Sequence, residues 1–186
     1  MARLDELGPS DAADALLPCC ASRRWVAQVA AGRPYGSLSR LVDGSDAALA
    51  ALEWPDIEQA LAAHPRIGER ERPAARAAPP RQEGPAKQGS PAKQASPGER
   101  EASWSAGEQR GTATLDAAQR DELRAANLAY EQRFGHGFLI CATGKSAGQM
   151  LAALRKRLTN EDAVEREVVR AELRDIVALR LEKAFR

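Results

Sequence analysis

Near the C-terminus, Val169, Leu173, Ile176, Val177, Leu181 and Ala184 recur at three- and four-residue spacing. That spacing predicts a long helix with one buried stripe. Asn160 is placed to cap it, and Glu161 and Asp162 suit the positive end of its dipole. Ser146 predicts a preceding helix to about residue 158, carrying Met150, Leu151 and Leu154. Asp116 predicts another over about 117–134. Leu123, Asn127, Tyr130 and Phe134 run along one side of it, and Gly135-His136-Gly137 ends it. Between these two helices, Phe138-Leu139-Ile140-Cys141-Ala142 is a short apolar run that reads as a buried extended segment.

The first third reads as a series of short helices. Ser10-Asp11 starts one through about residue 17. Ser22 caps a second over 23–31, with Gly32 at its end and Pro34 beyond. Residues 37–42 give a short turn or helix before Asp43-Gly44, and Ser45-Asp46 starts a separate helix over 47–53. Pro55 suits the first turn of the helix leading to His64. Pro65 ends that helix, because a residue before proline is pushed out of the helical region.

One segment breaks the pattern. From Gly68 to Ser103 there is no Leu, Ile, Val, Met, Phe, Tyr or Trp, and six of the eleven prolines fall there. Pro85-Ala86-Lys87-Gln88-Gly89-Ser90 is echoed by Pro91-Ala92-Lys93-Gln94-Ala95-Ser96. A stretch with nothing to bury cannot offset the entropy of ordering, so residues 71–101 are expected to form a disordered loop. The fold class that follows is all-α, with both halves packed into a single domain, residues 1–186, across that insert.

Composition narrows the function. Net charge is +1, from 27 basic and 26 acidic side chains, which gives no field for nucleic acid or an anionic membrane surface. No apolar run approaches the ~20 residues of a membrane span. The charged start, Met1 to Gly8, lacks a signal core. Cys19, Cys20 and Cys141 make no disulfide framework, so a reduced, cytoplasmic setting is expected.

Candidate chemistry begins at His64-Pro65-Arg66-Ile67-Gly68, where a side chain that titrates near neutral pH sits at a rigid helix end. Three further places carry functional groups: Ser105-Ala106-Gly107-Glu108-Gln109, the 138–142 run followed by Gly144-Lys145, and Arg157-Leu158-Thr159-Asn160. Each has an ordinary structural reading. His64 can be a surface residue at a capped end. Ser105 can cap a helix, with Glu108 completing a capping box. Arg157 can be a surface charge. Gly144-Lys145 lacks a phosphate loop's glycines. Two histidines without ligand spacing make no metal site, and Cys19-Cys20 lacks the spacing of a redox pair.

In this order, however, the motifs resemble the family of 2-oxo-4-hydroxy-4-carboxy-5-ureidoimidazoline (OHCU) decarboxylases of urate breakdown. The matching residues are His64-Pro65-Arg66-Ile67-Gly68, Ser105-x-x-Glu108-Gln109, Phe134-Gly135-x-x-Phe138-Leu139-Ile140-Cys141-Ala142, Gly144-Lys145 and Arg157-Leu158-x-Asn160. Glu165, Glu172-Leu173, Ile176 and Arg180-Leu181 complete the series. The resemblance covers the chain except residues 71–101, where the family's linker is much shorter. It implies an all-α homodimer that converts OHCU to (S)-allantoin and CO2 without a cofactor or metal. It also implies that His64 is the acid–base and Glu108 its carboxylate partner, with Arg157 holding the anionic substrate. Pro65, Ser105, Ala106, Gly107, Glu108, Gln109, Phe138, Leu139, Ile140, Cys141 and Ala142 would line the pocket, the last five offering backbone groups to the ring. Two other readings stand beside this one: a hydrolase of a related ureide, and a non-catalytic helical interaction protein.

Overall fold

A computed structural model describes residues 2–68, 96–108 and 115–186. Among them the elements run α1 (Ala2–Asp5), α2 (Pro9–Leu16), α3 (Arg23–Ala31), α4 (Leu38–Ala50), α5 (Trp54–Leu61), α6 (Pro97–Glu108), α7 (Ala117–Phe134), α8 (Ala147–Arg157) and α9 (Asp162–Phe185). No strand occurs among the described residues, in keeping with the all-α class that the helical spacing and caps predict. No described helix is long and apolar enough to cross a membrane.

Two apolar clusters hold the fold. The larger joins α1 through α5 to the predicted stripe of α9, around Trp25, Leu41, Val169, Leu173, Val177 and Leu181. Each such side chain contributes roughly 1.5–3 kcal/mol on leaving water. The smaller gathers Leu123 and Tyr130 of α7, Met150 and Leu154 of α8, and Ile67. Residues 138–142 lie between the two. Leu139 and Cys141 join the larger cluster, whereas Phe138, Ile140 and Ala142 join the smaller. Alternate side chains facing opposite ways is the geometry of an extended chain.

Several helix ends match the sequence. The Oγ of Ser22 accepts from Trp25 N, Asp116 and Gln119 form a capping box, and Ser146 and Gln149 form another. Gly135 ends α7 at φ 76°, in the left-handed region that glycine enters most easily.

Four expectations are corrected. The helices expected over 37–42 and 47–53 are one, α4 (Leu38–Ala50), because Gly44 lets it pass the Tyr35 ring. A Cβ at Gly44 would lie 2.6 Å from Tyr35 Cε1. The next residue, Ser45, is buried and accepts from Trp25 Nε1 at 3.2 Å. Asn160 does not cap α9; its Nδ2 donates to Glu165 instead. The expected loop ends earlier than residue 101. Residues 71–95 lie outside the described residues, but Ser96 and Glu99 bond reciprocally at the start of α6. Ser105 is therefore not a cap: it lies inside α6, about two turns from its start and buried.

Candidate active site

The end of α5, the inner face of α6 and the last third of α9 meet at Arg180. Glu101, Ser105 and Glu108 are spaced i, i+4, i+7 on α6, which places them on one face of the helix. All three contact the Arg180 guanidinium, which is fully buried. Its Nε donates to Glu108 Oε1 at 3.1 Å, and one terminal nitrogen donates to Glu108 Oε2 at 3.0 Å and Ser105 Oγ at 2.8 Å. The other donates to the Pro18 carbonyl at 3.2 Å and to Glu101 at 3.4 Å. The two bonds to Glu108 form a planar fork, the stronger form of a charge-assisted pair.

His64 stands beside this cluster, one turn beyond α5. Its Nδ1 lies 2.9 Å from the Ala60 carbonyl and 4.0 Å from Glu101 Oε1. A carbonyl can only accept, so Nδ1 carries the ring proton and Nε2 of the neutral ring holds a lone pair. That Nε2 is buried and has no hydrogen-bond partner. Burial, followed by the positive Arg180, pushes the pKa down from 6.5 to about 4, against the pull of the Ala60 carbonyl and Glu108. The imidazole is therefore neutral at physiological pH, with its basic nitrogen unspent. Cys19 and Cys20 pack nearby, their thiols pushed up to about 12 by burial.

His64, Ser105 and Glu108 thus lie around the Arg180 guanidinium, with Ala106 and Gly107 in the same helix as the last two. Gln109 lies outside the described residues. Pro65 follows His64 directly and is partly exposed.

Arg157 lies in a different network. Its guanidinium donates to Glu165 at 2.6 and 2.8 Å, to the Leu139 carbonyl at 2.7 Å and to Tyr130 Oη at 3.3 Å, and it covers the Phe138 ring at 4.6 Å. Tyr130 also donates to Glu165, and burial together with that carboxylate raises the phenol's pKa. The structure does not bring Arg157, expected to hold the substrate, into the His64 cluster, and its donors pair within the fold. They fix the 138–142 segment, as do Glu172, which accepts from Cys141 N at 2.7 Å, and Lys145, which donates to the Cys141 carbonyl at 2.6 Å. These bonds engage the Leu139 carbonyl and both backbone groups of Cys141, which were expected to face a ligand.

Sequence reasoning places Arg180 in the family pattern without a role and does not single out Glu101. The signal for Arg180 was present, as a charge in register with the buried stripe of α9. Glu101 carried none, because it sits at the edge of a segment without large apolar residues. A separate cavity of 460 Å³ opens between α4, α5 and α9 and is lined by Asp46, Ile57, Arg170 and Arg174 among others. None of the expected site residues borders it.

Comparisons with known proteins identify the fold and the family. The family described as OHCU decarboxylase matches residues 5–182. The "Uric acid degradation bifunctional protein TTL" of Arabidopsis thaliana is 29% identical over 168 residues, 90% of this chain and 45% of that protein. The 2-oxo-4-hydroxy-4-carboxy-5-ureidoimidazoline decarboxylase of Amia calva is 39% identical over 80 residues, 42% of this chain and 46% of that protein. The match therefore spans less than half the length of these curated relatives. A crystal structure of OHCU decarboxylase in the presence of (S)-allantoin superposes with a TM-score of 0.69 at 26% identity, covering 92% of this chain and 97% of that one. With a family match that runs through His64, α6 and Arg180, the chain belongs to the OHCU decarboxylase family.

Proposed function

We propose that the chain decarboxylates OHCU to (S)-allantoin and CO2 in urate degradation, by acid–base catalysis without a cofactor. The observation that carries this reading is the buried, unpartnered Nε2 lone pair of His64 beside a guanidinium gripped by carboxylates. Family membership supplies the substrate class.

The chemistry suits these groups. When the bond between C4 and its carboxylate breaks, the electron pair needs a sink, and the ring's own imine accepts it. The imine nitrogen takes up one proton, which matches the negative charge lost with the carboxylate as CO2. The 4-hydroxyl then gives up its proton as the ring carbonyl forms, and C5 gains one. Neutral His64 can take the hydroxyl proton at Nε2 and return it to one face of C5. Fixing that face yields a single enantiomer. Glu108 favours the transient imidazolium through its charge.

The anion-holding role belongs to Arg180 in this reading, through the planar fork that Glu108 occupies here. Arg157 keeps residues 138–142 in place. The family resemblance adds Pro65, Ser105, Ala106, Gly107, Gln109 and residues 138–142 as the expected lining of the pocket. The whole of 1–186 acts as one domain. A homodimer follows from the family resemblance, and a cytoplasmic setting agrees with three buried free thiols.

The test is product analysis with freshly generated OHCU. The reading expects CO2 release above the spontaneous rate and an excess of (S)-allantoin, unchanged after exhaustive EDTA treatment. Racemic allantoin at the spontaneous rate would refute it. Ring opening without CO2 would establish a ureide hydrolase instead.

A further inference from the structure

We propose that Glu101 is a second carboxylate of this site, a positioning residue that stabilises the protonated state of His64 and holds Arg180. The inference rests on the acid–base reading above and goes beyond the motifs that led to it.

Glu101 Oε1 lies 4.0 Å from His64 Nδ1 and 3.4 Å from an Arg180 terminal nitrogen, so one carboxylate bridges the base and the guanidinium. The residue is buried, and a buried carboxylate is retained at a stability cost unless it has partners and a use. It also completes the charge balance of the cluster. Arg180 carries one positive charge and Glu101 and Glu108 one negative charge each, so the cluster is net negative while His64 is neutral. It reaches zero when His64 takes a proton. With only Glu108, the cluster would be neutral beforehand and positive afterwards. The second carboxylate therefore favours the imidazolium formed in the middle of the reaction, in a place where burial and Arg180 both oppose it.

Every element packed around the imidazole enters this balance. α5 contributes the Ala60 carbonyl, α6 contributes Glu101, Ser105 and Glu108, and α9 contributes Arg180. The turn after α2 brings the Cys19 and Cys20 thiols, which stay neutral. Arg100, whose charge reaches Cys19, donates to the Asp14 carbonyl.

The test compares the wild-type chain with Glu101→Gln and Glu101→Asp. An opposite charge at this distance moves a pKa by roughly 1–3 pH units, and one unit weakens a base tenfold. Glu101→Gln should shift the acid limb of the kcat/KM profile about one pH unit lower and reduce kcat by up to about tenfold. Glu101→Asp, which restores the charge, should return the limb close to its wild-type position. An acid limb that Glu101→Gln leaves in place would overturn the proposal even if turnover fell, because a residue that only docks α6 would behave that way. Ring NMR of His64 in the ligand-free protein supplies a readout independent of turnover. Only His64 and His136 contribute ring signals, so a His64→Asn spectrum assigns them. Glu101→Gln should keep His64 neutral to lower pH than in the wild type, and identical titrations would overturn the proposal. If the wild-type chain released no CO2 from OHCU, the functional reading would fall while this titration still decided the role of Glu101.

Discussion

Replacing Arg157 separates a residue that holds the fold from one that holds the substrate. Its side chain is 7% exposed and that of Glu165 is 0% exposed, so neither charge can be rescued by water. Arg157→Ala would leave Glu165 with Asn160 Nδ2 and Tyr130 Oη as its remaining partners and would leave the Leu139 carbonyl unpaired. Breaking one side of a buried pair costs about 3–5 kcal/mol. For a chain of this size, each kcal/mol moves Tm by about 2–4 °C, so a fall of roughly 6–20 °C is expected. Arg157→Lys keeps the charge but, as a single ammonium, cannot serve Glu165, Leu139 and Tyr130 together. Losing a charged hydrogen bond costs about 1.5–3 kcal/mol, which corresponds to a fall of roughly 3–12 °C. Thermal unfolding followed by far-UV circular dichroism reads both values, and KM for OHCU is measured on the same samples. The reasoning is refuted if Arg157→Ala lowers Tm by less than about 2 °C. It is equally refuted if Arg157→Lys keeps the wild-type Tm while KM rises steeply, because that pattern belongs to a substrate ligand.

Two other positions, His64 and Gly68, can be tested through stability. His64 has a lower pKa folded, about 4, than its ordinary 6.5, so between those values the unfolded chain binds more protons than the native one. Stability from this group is therefore complete above the unfolded value and is lost as pH falls toward the folded one. Urea unfolding should show wild type losing about 3 kcal/mol more than His64→Asn on going from neutral pH to about pH 4, and parallel curves would contradict it. Gly68, at φ 81°, would place an added Cβ 2.5 Å from Leu123 Cδ2, and Leu123 is buried. Gly68→Ala should cost about 1–3 kcal/mol in the same assay, and a neutral result would show that this turn relaxes freely.

Much of this fold could be read from local signals that leave a mark in sequence. The α9 stripe, the Asp116 and Ser146 caps and the glycine after α7 each depend on residues within one or two turns. The failures came where a distant partner decided the outcome. Gly44 looks like a helix breaker until the Tyr35 ring is seen to fill the space beside it. Asn160 looks like a cap, yet the buried Glu165 claims its amide. The site divides in the same way. His64 and Glu108 stand in short motifs, whereas Arg157 and Arg180 are equally plausible anion ligands by residue type. Only packing shows that Arg157 faces Glu165 and Leu139 while Arg180 faces His64's neighbours. Glu101 is hidden in the sequence because low apolar content reads as loop, although a polar helix can dock through a buried arginine as well as through a hydrophobic stripe.

The most direct test of the central claim is the turnover of His64→Asn on freshly generated OHCU, with enantiomeric excess read on the same reaction. Asparagine keeps a polar side chain of similar reach but cannot accept and return the proton. The account predicts a folded protein whose kcat falls by at least ~10²-fold, with allantoin approaching the racemic product of the spontaneous reaction. A folded His64→Asn protein that retained more than about a third of wild-type turnover and still produced (S)-allantoin would contradict it, because a general acid–base group typically contributes ~10²–10⁴ in rate.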